Sequence, residues 1–346
     1  MPQALIVGDV GIVGANMRKL LAATPGWHSI GVSRRALPED PDHIAADLTD
    51  RSAALAMAPK LGGITHLFVC ARVPGKNPSD EARVNRLLME HSLDALAAAK
   101  APLQRVVLVH GTKWYGSHLG PYRVPAKEDH PRHMPPNFYH DQQDVAEARC
   151  RQGGWTWCAL RPHTVWGFST GTGNNLIMLL AVYAALSKQL GLPLCFPGPA
   201  ATWSKFSQST HVDLLNRAML WAAIAPEAAN AAFNVTNGDV FRWCDLWPRV
   251  AAFFDMSTGP VQTLSLATMM ADKAPVWDAV VAKHGLQPYS MADLAGWAYG
   301  DGLMANTWDD VSSTVKIRQA GFAEAIDSEE IFLQSMAELR RNRIIP

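Results

Sequence analysis

The sequence lacks a surplus of charge of either sign, since 31 lysines and arginines balance 31 aspartates and glutamates. A protein that holds the phosphate backbone of a nucleic acid needs a basic surplus, so nucleic acid is excluded as a main partner. Long apolar runs are also missing: the longest, residues 176–186, is about half of the ~20 residues that a membrane-spanning helix needs. No transmembrane segment is expected. The pattern of a signal peptide is absent too, which predicts a cytoplasmic protein.

Cysteine is scarce, and the few cysteines form no close pair of the CxxC kind. We therefore expect buried apolar thiols, not disulfides or zinc ligands. The cysteines are Cys70, Cys150, Cys158, Cys195 and Cys244. Three histidines of a proline-rich stretch, His130, His133 and His140, have no matching cysteine or carboxylate pattern, so no metal site is expected.

Short β-branched runs alternate with longer helical patterns through the N-terminal half of the 346 residues. The strand-like runs are residues 4–7, 29–32, 66–70, 106–110 and 157–160, and the helical patterns are 15–23, 53–58, 81–100 and 142–151. This alternation predicts an α/β fold of the Rossmann type, a doubly wound parallel sheet with helices on both faces.

The composition of the chain changes after Gly167, where loops rich in glycine, proline and tryptophan alternate with apolar helical segments. We expect a dinucleotide-binding Rossmann domain at residues 1–166, completed by parts of 205–240. The remainder, 167–346, is expected to be mainly a smaller, substrate-binding lobe. Most of the 12 tryptophans follow residue 153, so this lobe should contain either an aromatic-lined cleft or an ordinary aromatic core.

A glycine motif stands between the first strand and the first helix. Its glycines are Gly8, Gly11 and Gly14, and Ile12 and Val13 lie between the last two. Glycines at this spacing allow a tight turn and a close approach of backbone amides to a pyrophosphate at the helix N-terminus. We therefore predict that these five residues bind a dinucleotide; the alternative is a plain glycine-rich turn.

The second strand ends in Ser33, Arg34 and Arg35, where an NAD-binding chain usually carries an acidic residue on the ribose. Guanidinium groups suit a 2′-phosphate, and a carboxylate would repel it. The segment favours NADP(H) over NAD(H) as the cofactor. The alternative is a solvated surface patch of positive charge.

Asp47 and Leu48 end the next short segment. From this position the carboxylate can accept a hydrogen bond from the adenine amino group while the leucine packs on the ring. Asp47 could equally cap the helix that begins near Ser52.

The reacting groups should lie near the carboxyl ends of the strands. In ordinary short-chain dehydrogenases an active-site tyrosine precedes a lysine by four residues, but Tyr139 is followed at that distance by Gln143. Lys113, after the neighbouring strand, offers a replacement for the missing cation. Tyr115 and Tyr122 are further candidates, and local spacing does not choose among the three tyrosines.

These and other segments resemble one family, the progesterone 5β-reductase and iridoid synthase-like (PRISE) enzymes, an atypical branch of the extended short-chain dehydrogenase/reductases. The resembling segments are residues 113–115 (Lys-Trp-Tyr), 120–121 (Gly-Pro), 128–132, 137–140 (Asn-Phe-Tyr-His), 161–162 (Arg-Pro), 166–169, 196–198 and 233–243. The resemblance runs from the glycine motif to the end of the sequence.

The resemblance implies NADPH-dependent reduction of the carbon–carbon double bond of an α,β-unsaturated carbonyl compound. Tyr139 would hydrogen-bond the substrate carbonyl, and Lys113 would be the cation that tunes it. Ala71 and Val165 are added to the predicted cofactor contacts. The sequence does not choose among three kinds of substrate: a steroid, a monoterpenoid dialdehyde and a small enone. A homodimer is also left open.

Three positions depart from the family pattern: Val10 in the glycine motif, Trp114, and His140 beside Tyr139. Two other kinds of function also stay open. One is an NADP-dependent carbonyl reductase or sugar-nucleotide epimerase, although these ordinarily use the tyrosine–lysine pair that Gln143 breaks. The other is a non-catalytic NADPH-binding sensor. The presence of both Lys113 and Tyr139 argues against a sensor.

Overall fold

The computed structural model describes residues 1–170 and 173–346. Within these residues, seven parallel strands form one sheet in the order β10-β6-β5-β4-β1-β2-β3. The strands of this sheet are β1 (Gln3–Val7), β2 (His28–Ser33), β3 (His43–Ala45), β4 (His66–Val69), β5 (Arg105–Val109), β6 (Thr156–Pro162) and β10 (Ala231–Val235). The predicted doubly wound parallel sheet is confirmed.

Two further pairs of short parallel strands lie outside this sheet. They are β7 (Thr164–Trp166) with β9 (Ser209–His211), and β8 (Leu194–Phe196) with β11 (Thr258–Val261). The first pair follows directly from β6, so it carries the chain from the sheet toward the second lobe.

The longer helices of the N-terminal part are α1 (Ile12–Ala23), α2 (Arg51–Ala56), α3 (Pro78–Ala98) and α4 (Phe138–Gly153). Those that follow are α5 (Leu176–Gln189), α6 (Ala200–Trp203), α7 (Val212–Ile224), α8 (Trp243–Phe253), α9 (Leu266–Met269), α10 (Ala274–His284), α11 (Met291–Leu294), α12 (Trp297–Met304), α13 (Val315–Gln319) and α14 (Ser328–Arg341). Short 3-10 helices occur at Ala58–Lys60, Thr112–Tyr115 and Pro226–Ala228. No helix of the described part is long and apolar enough to cross a membrane.

Alternating side chains of the central strands explain why helices cover both faces of the sheet. On β1, Leu5 and Val7 belong to one buried cluster with residues of α2, α3 and α4. Ala4 and Ile6 point the other way and pack with residues of α1 and α7. Successive side chains of a strand alternate between its faces, so a strand that is apolar throughout must be covered on both sides.

A separate apolar core, built largely on α5, α8, α10 and α14, lies in the part of the chain that is predicted to form the second lobe. Trp166, Trp247 and Trp277 are fully buried in it. The tryptophans were expected to line a cleft or to form an ordinary aromatic core. These three residues fit the core. The place of the boundary between the two lobes, residue 166, stays a prediction.

Two expectations from the sequence need correction. Among the cysteines only Cys158 is buried, and the other four are partly exposed. β10 was not predicted as a separate strand, although it pairs with β6 along its whole length. Its segment, Ala-Ala-Phe-Asn-Val, carries only one β-branched residue, so the usual composition signal for a strand is weak.

Candidate functional site

A cavity of about 380 Å³ opens at the carboxyl ends of β1, β2 and β4. Most of the predicted cofactor-binding residues line it: Gly8, Gly11, Ser33, Arg34, Arg35, Asp47, Leu48 and Ala71. Val10 and Arg72 line it as well. Parallel strands that end at one edge of a sheet bring these distant segments together, which is where ligands bind in open α/β folds.

The glycine turn forms the floor of this cavity. Gly8 has a φ of +89°, and a Cβ added there would lie 2.8 Å from the backbone nitrogen of Ala71. A Cβ on Gly14 would lie 2.3 Å from the carbonyl oxygen of Gly8. Glycine is therefore required at both positions, and the first amides of α1, which have no carbonyl partner within the helix, are left free to receive an anion.

Four of the predicted cofactor contacts do not line the cavity, namely Ile12, Val13, Gly14 and Val165. Val13 is buried and packs in the core between α1 and the sheet, with Ile12 partly buried against the same cluster. Gly14 allows α1 to pack against the turn. Val165 lies on β7, paired with Thr210 of β9. The side chains of Ile12, Val13 and Val165 thus pack in the core, and their roles as cofactor contacts stay predictions.

Arg34 and Arg35 lie at the rim of the cavity, on the turn that follows β2. Both side chains are exposed, and neither guanidinium has an ion-pair or hydrogen-bond partner in the part of the chain that the structure describes. The turn itself is held by Ser33, whose hydroxyl donates to the carbonyl of Arg35 at 3.1 Å. The guanidinium forks are therefore free to bind a phosphate.

Asp47 does not cap α2, which removes one of the two sequence interpretations. The cap is Asp50, whose carboxylate accepts from the amide of Ser52 at 2.8 Å. The Asp47 carboxylate instead accepts from the amide and the hydroxyl of Thr49, at 2.9 and 2.8 Å. Burial opposes the ionised form, but the bonds from Thr49 and the charge of Arg34 lower the pKa of Asp47. It therefore faces the cavity as an anion that only accepts hydrogen bonds.

Tyr139 and Lys113 lie in different segments, and the side chain of Asn137 hydrogen-bonds to both of them. Tyr139 is in the first turn of α4, and Lys113 is in the 3-10 helix that follows β5. Asn137 accepts from the amide of Tyr139 at 2.9 Å and donates to the carbonyl of Lys113 at 2.7 Å. The Tyr139 hydroxyl lies over Gly111, where an added Cβ would be 3.2 Å from it. The two segments are thus held in one arrangement by direct bonds.

The hydroxyl of Tyr139 makes no hydrogen bond to another residue of the described ranges, and neither does the ammonium of Lys113. Burial raises the pKa of Tyr139 to about 12, opposed by the positive charge of Arg72. Burial also lowers the pKa of Lys113, and Arg72 lowers it further. Arg72 itself is paired with Glu81. The charge of Arg72 thus favours the phenolate of Tyr139, and that of Glu81 opposes it. The role of Lys113 as the cation that tunes Tyr139 stays a prediction.

The other two candidate tyrosines are already engaged within the protein. The Tyr115 hydroxyl donates to the side-chain oxygen of Asn234 at 2.6 Å, and that of Tyr122 donates to the carboxylate of Asp310. Burial raises the pKa of both phenols. Tyr139 thus differs from both in having a hydroxyl that no described residue binds.

Gln143 stands where ordinary short-chain dehydrogenases have their lysine. Its side-chain oxygen accepts from the guanidinium of Arg161 at 3.3 Å, and its amide group donates to Glu147 at 2.7 Å. Arg161 is only 1% exposed, donates to the hydroxyl of Tyr115 at 3.1 Å, and lies 3.7 Å from the ring centre of Trp114. A buried cation therefore already occupies the neighbourhood into which a lysine at position 143 would extend.

Two buried histidines flank these groups. His110 packs on Tyr139 with ring centres 4.9 Å apart, and both of its ring nitrogens lack a partner among the described residues. Burial lowers the pKa of His110 well below 6.5, and lowers that of His140 to about 4. His140 is only 5% exposed, because the ring of Trp114, 4.5 Å away, covers it.

Comparison with known proteins places the chain in a family. Residues 45–346 match the model of the PRISE-like Rossmann-fold domain. The chain belongs to the PRISE-like Rossmann-fold family. (S)-8-oxocitronellyl enol synthase of Nepeta cataria is 33% identical, over 99% of this chain and 91% of that protein. The (S)-8-oxocitronellyl enol synthase of Catharanthus roseus is 32% identical, over 99% of this chain and 92% of that protein.

Solved structures that resemble this PRISE-like chain share its fold at low identity. UDP-glucose 4-epimerase of Thermotoga maritima has a TM-score of 0.70 at 15% identity, over 98% of this chain and 99% of that one. The structure of RMD from Pseudomonas aeruginosa complexed with NADPH has a TM-score of 0.67 at 14% identity, over 98% of each chain. At this identity the likeness concerns the fold alone.

Two residues near the site were missed from the sequence. Arg72 follows the end of β4 by three residues, so the rule that ligands bind at the carboxyl ends of strands could have identified it. Tyr299, on α12 of the second lobe, has a pKa that burial raises to about 12 and that the charge of Arg72 lowers. No local signal marks Tyr299, because only the fold brings α12 toward Arg72. Among residues 1–170 and 173–346, no group of three or more histidine, cysteine or acidic side chains could hold a metal ion.

Proposed function

We propose that this PRISE-like protein is an NADPH-dependent oxidoreductase that reduces the carbon–carbon double bond of α,β-unsaturated carbonyl compounds. The observation that most supports this function is the arrangement of Tyr139 and Lys113, fastened by Asn137 while Gln143 is engaged with Arg161. It is the arrangement that the family resemblance implies, and it differs from the tyrosine–lysine pair of ordinary short-chain dehydrogenases.

The cavity fits the cofactor. Its floor is a glycine turn on which a Cβ at Gly8 would collide with Ala71, and its rim carries two arginines that have no partner among the described residues. Backbone amides of α1 would hold the pyrophosphate, and Arg34 and Arg35 the 2′-phosphate. When bound, NADPH supplies a hydride, which is the chemistry that protein side chains lack.

Tyr139 is suited to bind the carbonyl oxygen of the substrate. Because the pKa of Tyr139 is about 12, its hydroxyl is protonated at neutral pH and can donate a hydrogen bond. As hydride adds to the β-carbon, negative charge develops on the carbonyl oxygen, and this bond strengthens. Arg72 adds positive charge nearby, and we propose that Lys113 does so as well once substrate is bound. The resulting enolate takes a proton at the α-carbon from solvent, which completes the two-electron reduction.

The names of the relatives support the same reaction class. Each of them is called an enol synthase. An enol or enolate is the species formed when hydride adds to the β-carbon of an unsaturated aldehyde or ketone, so the chemistry of those names and the proposed role of Tyr139 agree. A monoterpenoid, a steroid or a small enone would each meet this requirement.

The function is tested by mixing the purified protein with NADPH and 2-cyclohexen-1-one and identifying the product. The proposal predicts cyclohexanone, formed faster with NADPH than with NADH. Tyr139→Phe removes only the hydroxyl and is expected to abolish most turnover while it still binds NADPH. An allylic alcohol as the product would indicate a carbonyl reductase, and tight NADPH binding without turnover of any enone would favour the sensor.

A further inference from the structure

A buried carboxylate lies beneath the glycine turn. The side chain of Asp9, in the middle of the turn, is fully buried. Its Oδ2 lies 2.8 Å from Nδ1 of His43 and 3.3 Å from a guanidinium nitrogen of Arg18. A Cβ on Gly31 of β2 would lie 1.9 Å from this oxygen, so only glycine at position 31 leaves room for the carboxylate. Three elements of the fold are thus arranged around Asp9.

His43 connects this carboxylate to the turn that carries the arginines. The His43 side chain is 2% exposed, and its Nε2 lies 2.8 Å from the carbonyl oxygen of Arg35. A carbonyl oxygen only accepts, so Nε2 carries a hydrogen. Nδ1 lies 2.8 Å from the Asp9 carboxylate, which also receives a bond from Arg18. Through its two ring nitrogens, His43 thus contacts both the glycine turn and the turn of arginines.

Charged groups surround the bond between His43 and Asp9. Arg18 bonds to Asp40 as well as to Asp9, and the bond from Arg18 lowers the pKa of Asp40. The charge of Asp42 also raises the pKa of Arg18, so three carboxylates act on this guanidinium. Cys70, directly after β4, is a further titratable neighbour of Asp9, and burial raises the pKa of its thiol. The bonds of Asp9 to His43 and Arg18 hold these side chains in one geometry.

The turn of Arg34 and Arg35 has few other attachments. Their side chains are exposed and unpartnered within the described ranges, and the carbonyl of Arg35 is bound by Ser33 and His43. The hydroxyl of Ser33 belongs to the same turn, so it cannot fix the turn relative to the rest of the fold. The bond from His43 can, because His43 is on β3 and is tied to the glycine turn through Asp9.

We propose that His43 is a positioning residue for cofactor selectivity. By bonding to both Asp9 and Arg35, it holds the turn of arginines in register with the glycine turn. The 2′-phosphate and the pyrophosphate of one NADPH molecule are then received together. The inference rests on the proposed function, because it assumes that NADPH occupies the cavity. It predicts that replacing His43 weakens the binding of NADPH but not that of NADH, which lacks the 2′-phosphate.

The test compares dissociation constants for NADPH and NADH, measured by cofactor fluorescence in the absence of substrate. His43→Phe keeps an aromatic ring of similar size and removes both ring nitrogens. Loss of the hydrogen bonds that hold Arg35 predicts that NADPH binds about tenfold more weakly to this variant, with NADH changed by less than about twofold. The matched control is His66→Phe, since His66 is 4% exposed on β4 and bonds to Thr65 and to the backbone of Ala223, not to the glycine turn or the turn of arginines. This control should keep the wild-type ratio.

The outcomes separate the two proposals. If the wild-type protein binds neither cofactor, the proposed function fails. If the wild type prefers NADPH and folded His43→Phe keeps that preference, or if His66→Phe loses it equally, the role of His43 is refuted while the function stands.

A second measurement does not depend on the stability of the variant. Nitrogen-15 NMR of the wild-type protein labelled at histidine should show that Nε2 of His43 carries a hydrogen, because it faces the carbonyl oxygen of Arg35. A His43 ring with an unprotonated Nε2 would overturn the proposed bridge.

Discussion

Replacing Gln143 by lysine would recreate the sequence pattern of an ordinary short-chain dehydrogenase, yet we expect it to impair this protein. The side-chain oxygen of Gln143 lies 3.3 Å from the guanidinium of Arg161, which is almost fully buried. Gln143→Lys would bring an ammonium group close to this cation. Two like charges at about 4 Å repel by about 4 kcal/mol at an effective dielectric constant of about 20.

Part of this repulsion would be offset by Glu147, which lies 2.7 Å from the amide nitrogen of Gln143 and could pair with the new lysine. We therefore expect Gln143→Lys to lower the free energy of unfolding by about 2 kcal/mol more than the uncharged control Gln143→Met. For a chain of this length that difference corresponds to about 3 °C in the unfolding midpoint.

Calorimetry of the wild type and the two variants measures the effect on stability, and turnover of 2-cyclohexen-1-one measures the effect on function. The ammonium at position 143 should not activate Tyr139, because Arg161 opposes its approach. The reasoning would be refuted if Gln143→Lys were as stable as Gln143→Met and turned the enone over faster than the wild type.

Three further predictions concern the site. Tyr139→Phe should reduce kcat about 100-fold and leave the Kd for NADPH unchanged; a parallel loss of NADPH binding would mean a structural role. Arg34→Glu should weaken NADPH far more than NADH in the same fluorescence titration, whereas equal losses would remove the 2′-phosphate assignment. Because the pKa of Tyr139 is about 12, its phenol stays protonated below that value, so kcat should be level from about pH 6 to about pH 9. A fall in kcat toward alkaline pH in this range would contradict the role of the phenol as donor.

The parts of the fold that the sequence predicts are those with a strong local signal. Turn geometry and burial restrict the residues allowed at some positions, so these positions can be recognised from the sequence. They include the glycines Gly8, Gly11 and Gly14 and the apolar strands β1, β4 and β5. The end of β2 could be read in the same way, since two arginines in place of an acid change the charge that the site accepts.

The parts that the sequence does not predict depend on contacts between distant segments. Nothing local indicates that Gln143 bonds to Arg161, or that Asn137 fastens Tyr139 to Lys113. The ordinary capping preference of asparagine accounts for only one of the two bonds that Asn137 makes. Positions of this kind become visible only when the strand ends have been brought together.

The most direct test of the proposed reaction is to follow a deuterium label from C4 of NADPH into the product of 2-cyclohexen-1-one. The account predicts that the transferable deuterium appears on the β-carbon of a saturated ketone and that the α-carbon takes its hydrogen from water. Deuterium on the carbinol carbon of an allylic alcohol would contradict it.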